Sequence, residues 1–129
     1  MKITLTIFAF ISLFSISAQN YACCINVDKL KIEELESKNI DVSKAYTIRF
    51  YMSLNSSSDA LKASQDAQSI GYTEEKLYEY GRDDYSLWLT KRMVPNLENL
   101  MKVYNELYRI TIKYNGIYND ADWHILDKS

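Results

Sequence analysis

The most chemically suggestive residues lie near the C-terminal end of the chain, where Asp120, Asp122 and His124 occupy alternate positions. Residues two apart in a β-strand point to the same face, so this spacing would place two carboxylates and an imidazole side by side. Such a set could bind a divalent metal, and it supports the hypothesis of a metal-dependent enzyme. The more ordinary interpretation, which we favour, is an edge strand whose charges discourage pairing with another chain.

Other catalytic arrangements are scarce, because the sequence contains 1 His and 3 Gly. A nucleophilic triad needs a histidine beside a serine or cysteine, and a phosphate-binding loop needs closely spaced glycines. Arg82, Asp83 and Asp84 offer an acid/base pair, but their composition is explained first by a turn. We therefore expect a protein that is not an enzyme and has no cofactor and no metal site.

The 2 cysteines of the chain, Cys23 and Cys24, are adjacent. Neighbouring cysteines pair with each other only under strain, and two thiolates are too few ligands for a closed zinc site. Three interpretations are open: pairing with another chain, lipid attachment at Cys23 after cleavage behind Ala22, or no role. Attachment to a membrane is expected only if Cys23 is lipidated.

Length and charge favour a single, mildly acidic domain. The chain has 129 residues and a formal net charge of −2 at pH 7. A domain of this size buries about two-thirds of its unfolded surface, so it can sustain a core without disulfides or metal. General affinity for nucleic acid needs a basic stripe, so RNA is not favoured as a partner.

The N-terminal residues are typical of a secretory signal. Lys2 precedes an apolar run from Ile3 to Ile16, and the small residues Ser17 and Ala18 follow it. The run is shorter than the ~20 residues that a membrane-spanning helix needs. We therefore expect cleavage after Ala18 and export to the periplasm or beyond the cell. An unprocessed signal would leave the protein in the cytoplasm.

The elements that position these residues begin with a long amphipathic helix between Pro95 and Gly116. Its apolar stripe recurs at spacings of three and four residues and consists of Leu97, Leu100, Met101, Tyr104, Leu107, Tyr108 and Thr111. Pro95 suits the first turn because it lacks an N–H, and Asn96 or Asn99 can cap the helix. Gly116 can take the left-handed conformation that ends a helix.

A strand is predicted from Tyr46 to Leu54, where apolar and polar residues alternate strictly. The other predicted elements are a short charged helix at 27–39, an alanine-bearing helix at 55–71, a hairpin of strands 72–80 and 85–93, and a last strand at 117–126. This order contains two split βαβ units, which predict a four-stranded antiparallel sheet with both helices on one face.

The predicted fold is thus α+β, a ferredoxin-like sandwich of the order βαββαβ preceded by a short N-terminal helix. The expected organisation is a signal peptide at 1–18, an N-terminal segment at 19–45 and the ferredoxin-like domain at 46–129. The long helix is expected to cover the apolar side of the sheet.

The opposite side of the sheet is the second candidate site. Because side chains alternate between faces, it should carry Arg49, Tyr51, Trp88 and Thr90. Tryptophan, tyrosine and arginine dominate protein-binding hot spots, and aromatic rings on a sheet also stack RNA bases. Three interpretations are open: the helix at 27–39 covers this face and Trp88 is core, the face binds a protein, or it binds single-stranded RNA.

Two stretches of the chain carry a resemblance to a known family. Residues 32–54, IEELESKNIDVSKAYTIRFYMSL, and residues 56–72, SSSDALKASQDAQSIGY, contain in order a short helix, a YTI strand, an alanine-bearing helix and a Gly-aromatic stop. This order resembles the domain called regulator of ribonuclease activity B, the ribonuclease E inhibitor family. The later sequence Tyr114-Asn115-Gly116-Ile117-Tyr118 is similar to the family's Gly-x-Tyr-Asp-Gly-Trp ending, here lengthened by residues 119–122 before Trp123.

The resemblance covers about residues 27–124 and implies a protein partner, namely a ribonuclease. Family members that bind ribonuclease E act in the cytoplasm, whereas residues 1–18 predict export. We therefore predict a small exported, non-catalytic binding module that acts by protein–protein association. The alternatives are a single-stranded RNA binder that uses the open sheet face and a metal-dependent enzyme.

The first testable prediction concerns location. Because the apolar run has the length and ending of a secretory signal, mature protein isolated from cells should begin near Gln19. Intact-mass measurement and N-terminal sequencing of the protein from fractionated cells will test this. Retention of Met1 in a cytoplasmic fraction would contradict export.

Overall fold

The computed structural model describes residues 26–127, apart from the side chains of residues 120 and 121. The predicted signal at 1–18 and the adjacent Cys23 and Cys24 lie outside the described residues. Within the described part of the chain, no helix is both long enough and apolar enough to cross a membrane.

The elements follow one another in the predicted order. They are α1 (26–37), β1 (Tyr46–Leu54), α2 (Ser57–Ser69), β2 (Thr73–Gly81), β3 (Asp84–Met93), α3 (Leu97–Lys113) and β4 (Ile117–Ile125). The strands form one antiparallel sheet in the order β2-β3-β1-β4. This order confirms the predicted ferredoxin-like sandwich, because each split βαβ unit places its two strands on either side of a strand from the other unit.

Strand β1 lies at the centre of the sheet, between β3 and β4. Its buried side chains alternate with half-buried residues and are Tyr46, which is 5% exposed, and Ile48, Phe50, Met52 and Leu54, each at most 1% exposed. The alternation predicted from the sequence is therefore confirmed. Helices α2 and α3 cover the buried side, with Ala60, Ala63 and Ala67 of α2 fully buried.

Helix α3 supplies the longest apolar stripe, but the stripe is rotated from the predicted one. Its buried residues are Leu100, Val103, Leu107, Ile110 and Thr111. The prediction was wrong for Tyr108, which is 37% exposed and stacks on Tyr104 with ring centroids 5.4 Å apart. These two tyrosines lie at the rim of the helix, where Tyr104 also contacts Tyr118 of β4.

The ends of α3 also differ in detail from the prediction. Asn96 is the N-cap, and its side chain accepts a hydrogen bond from the Asn99 N–H at 2.8 Å. Pro95 precedes the cap and does not form the first turn. At the other end, Asn115 takes the left-handed conformation, with φ of 56°. Gly116 is needed for space, since a Cβ there would lie 2.5 Å from the Ser53 carbonyl oxygen.

Helix α1 packs on the same side of the sheet as α2 and α3. The indole Nε1–H of Trp123 donates a buried hydrogen bond of 2.8 Å to Asp28 Oδ1. Trp123 lies two residues before Ile125, which pairs with the core residue Ile48, so it faces the core. Leu35 joins that core as well. The interpretation in which this helix covers the opposite face is therefore wrong.

The second prediction tests the orientation of α3. Leu107→Ala removes a side chain that is 0% exposed, so it should lower the free energy of unfolding by about 2 to 5 kcal/mol. Ile112→Ala, a truncation of the same size on the same helix at a residue 59% exposed, should cost under about 0.5 kcal/mol. Urea denaturation of both variants measures the difference. Equal midpoints would show that the wrong face of α3 has been assigned to the core.

Candidate functional site

The four residues predicted for the open sheet face lie together in the structure. The register of β1 and β3 places Tyr51 opposite Trp88 and Arg49 opposite Thr90. All four are half-buried and point away from the core. The helices within residues 26–127 pack on the other side of the sheet, so none of them covers this surface. We call it the open face.

Arg49 is held by two interactions that fix its charge in place. Its Nε donates to Glu75 Oε2 at 2.6 Å, and its Nη2 donates to the second carboxylate oxygen. The guanidinium carbon lies 4.4 Å from the centre of the Trp88 ring, a cation–π geometry. The hydrogen bond from Arg49 lowers the pKa of Glu75. The positive charge of Arg49 is therefore balanced within the sheet.

Aromatic rings from the two neighbouring strands, β1 and β2, surround Trp88. Its ring centroid lies 4.7 Å from that of Tyr78 and 5.3 Å from that of Tyr51. Tyr78 is in turn 5.8 Å from Tyr80. The indole N–H of Trp88 donates to Ser86 Oγ at 3.1 Å, so its polar group is satisfied beside the rings. We call Tyr51, Tyr78, Tyr80 and Trp88 the aromatic cluster.

His124 lies beside this cluster. Its Nδ1 is 3.1 Å from the Tyr51 hydroxyl, and the two rings meet edge to face at 5.6 Å. Asp122 lies on the same side of β4, but the side chain of Asp120 is outside the described residues. Among the residues whose side chains are described, no three His, Cys, Asp or Glu residues could hold a metal ion. Two of the three predicted metal candidates therefore belong to the open face.

A break in strand pairing shapes the β4 end of this face. Arg49 pairs with His124 and Tyr51 with Asn119, so residues 120–123 bulge out opposite Phe50 alone. The bulge coincides with the lengthened ending noted in the sequence. Beside it opens a cleft of about 210 Å³, lined by Tyr51, Tyr80, Ser86, Trp88, Asn119, Asp122 and His124. We call it the β4 cleft.

Sequence reasoning missed Glu75, Tyr78 and Tyr80, which all come from β2. A usable signal existed, because Lys76, Tyr78 and Tyr80 alternate in the strand and the hairpin turn fixes which of them meet β3. In the structure the register pairs Lys76 with Trp88. Glu75 could not be found this way, because the pairing shifts between Glu74 and Lys76.

The fold and the site together define a small ferredoxin-like protein whose candidate site is an aromatic sheet face with paired charges. Residues 26–120 match the family described as regulator of ribonuclease activity B. The chain therefore belongs to the regulator of ribonuclease activity B family. Comparison with curated proteins finds no match. The family match ends at the β4 bulge, so the bulge and Trp123 lie at or beyond its limit.

The family is a regulatory, non-catalytic one, and membership in it suggests a regulatory module that binds a protein. A ribonuclease is the kind of partner that the family description supports. The open face offers such a partner a large aromatic surface, and it is therefore the candidate interface.

The third prediction concerns the Arg49–Glu75 ion pair. Its side chains are 21% and 30% exposed, so Glu75→Gln should lower the free energy of unfolding by up to about 1 kcal/mol. Because the folded-state pKa of Glu75 is lowered from 4.5, this contribution is complete above that pH and is lost as the pH falls below it.

Urea denaturation of wild type and Glu75→Gln at about pH 7 and about pH 3 tests this expectation, since most carboxylates change protonation between them. Glu74→Gln is the matched control, because Glu74 is exposed on the same strand and takes no part in the pair. A difference between wild type and Glu75→Gln that grew on acidification would contradict the assignment.

Proposed function

We propose that this protein is an exported, non-catalytic module that regulates a ribonuclease by binding it through the open face. The family membership supports a ribonuclease as the partner, and the N-terminal residues support export. Under this proposal the partner is met outside the cytoplasm, and ribonuclease E, the partner that the family resemblance implies, stands in for it in the binding tests. The proposal needs a surface that no described helix covers and that is rich in the residues that dominate interfaces, and the open face fits both requirements.

The observation that carries the proposal is the environment of Trp88. This large ring is half-buried on a face that no described helix covers, and it is held between Arg49 and the rings of Tyr51 and Tyr78. Because these contacts already restrict its side chain, little conformational entropy is lost when a partner packs on it. Trp88 is therefore suited to be an anchor of the interface.

The charges of the open face favour a protein over RNA. Arg49 is paired with Glu75, and Arg92 is paired with Asp127 at 3.0 Å. RNA affinity depends on cations that are available to phosphates. The aromatic cluster could stack bases, but both of these arginines are already balanced by carboxylates, and the ammonium of Lys76 lies over the Tyr78 ring, 4.5 Å from its centre. A protein partner can bury the same rings without needing an unpaired positive charge on this face.

The fourth prediction tests the interface. Trp88→Ala and Tyr51→Ala should each weaken binding to purified ribonuclease E by about 1 to 2 kcal/mol, because both remove aromatic contact area. Isothermal calorimetry with the mature chain measures the loss. Tyr108→Ala is the matched control, since Tyr108 is an exposed tyrosine on α3, across the sheet from the open face.

Melting curves accompany the binding measurements, because a variant that unfolds also loses binding. Trp88 is outside the buried core, so Trp88→Ala should still melt cooperatively. A folded Trp88→Ala protein that binds ribonuclease E with wild-type affinity would overturn the proposal. Weakened binding by Tyr108→Ala alone would move the interface to the helix side.

A further inference from the structure

We infer that the β4 cleft receives an arginine side chain of the partner protein. This inference rests on the proposed function, because it specifies what the partner presents to the open face. It depends on the residues that line the cleft and on the charge they carry. It also depends on the contact of Arg49 with Trp88 and Glu75, in which this protein binds an arginine of its own.

The cleft combines aromatic rings with a carboxylate. Tyr51, Tyr80 and Trp88 form its ring-bearing wall, and Asp122 is the carboxylate among the described lining residues. A guanidinium group is planar, stacks on aromatic rings and donates two parallel hydrogen bonds to a carboxylate. The β4 cleft, with a volume of about 210 Å³, contains both the aromatic rings and the carboxylate that a guanidinium group needs.

The same recognition already occurs inside the sheet. The guanidinium of Arg49 lies against the Trp88 ring while it donates two hydrogen bonds to Glu75. Trp88 also lines the β4 cleft, and the carboxylate of Asp122 lines it as well. A partner arginine would therefore repeat, from outside, the arrangement that the chain makes with its own arginine.

Other occupants fit the cleft less well. Its described lining contains no Arg or Lys, so a phosphate or carboxylate group would meet Asp122 without a fixed countercharge. A purely apolar side chain would remove the Asp122 carboxylate from water without giving it a hydrogen-bond partner. An arginine side chain stacks on the rings and also forms an ion pair with the Asp122 carboxylate.

The polar wall of the cleft comes from the β4 bulge. Asn119 directly precedes the bulge and Asp122 lies within it, whereas the ring-bearing wall belongs to the regular part of the sheet. The extra residues therefore add a charge to a face on which Glu75 and Asp127 are paired with arginines. This makes Asp122 the residue that selects the charge of the occupant.

A titration followed by NMR tests the inference with a defined probe. The probe is N-acetyl-arginine methylamide, and N-acetyl-citrulline methylamide is its neutral counterpart of nearly the same shape. Arginine should shift the Trp88 indole N–H and the Asn119 side-chain amide, with a dissociation constant in the millimolar range. The indole of Trp123 is the internal control, because it is buried and bonded to Asp28.

Two charge-matched variants sharpen the test. Asp122→Asn should weaken arginine binding about two- to fivefold, the effect of removing an exposed ion pair. Asp83→Asn changes the same charge in the exposed hairpin turn and should leave the affinity unchanged. Shifts of equal size and affinity with citrulline, or unchanged arginine affinity in Asp122→Asn, would overturn the inference.

Binding of purified ribonuclease E separates this inference from the proposed function. If Trp88→Ala weakens that binding and Asp122→Asn does not, the open face is the interface and the arginine assignment is wrong. If Trp88→Ala binds with wild-type affinity, the proposed function itself is wrong. Loss of affinity in both variants supports the two together.

Discussion

The register of strand β1 is the constraint on which the rest of the structure depends. This strand has a neighbour on each side, and every second side chain is buried beneath α2 and α3. A shift of one residue would turn Ile48 and Phe50 toward solvent and send Arg49 and Tyr51 into the core. The energy that fixes the core therefore also fixes the open face, with no separate element needed to orient it.

Charge balance determines what the open face can do. A face with unpaired arginines beside aromatic rings would attract nucleic acid. Here the guanidinium of Arg49 lies over the Trp88 ring, and the carboxylate of Glu75 neutralises the charge of Arg49. The Arg49–Glu75 ion pair holds the Trp88 ring in place. Apolar area is then the main feature of the open face. Such surfaces gain affinity because they bury apolar area with side chains that are ordered before the partner arrives.

Features set by local periodicity could be predicted from the sequence. The alternation in β1 identified both faces of the sheet correctly, because in a strand each side chain's direction follows from its neighbour's. In α3 the same reasoning placed Leu107 in the core but wrongly included Tyr108. Positions three and four residues apart are nearly equivalent on a helix, so the choice between them depends on packing against β4.

Features set by contacts between distant segments could not be predicted. The side of the sheet on which α1 packs depends on the hydrogen bond between Asp28 and Trp123, which are far apart in sequence. The β4 bulge likewise follows from how residues 120–123 fit opposite one residue of β1. For that reason the sequence offered only an edge strand or a weak metal site as interpretations of His124, and its contact with Tyr51 is visible only in the folded chain.

The position of β4 in the chain also determines the order in which the sheet can be assembled. The β2-β3 hairpin and its pairing with β1 join segments that are closer in sequence than Ile48 is to Ile125, its partner at the far end of the described residues. Closing that long loop costs more chain entropy, so it is expected late in folding. The aromatic cluster can then form early, while the β4 cleft exists only once the last strand has joined.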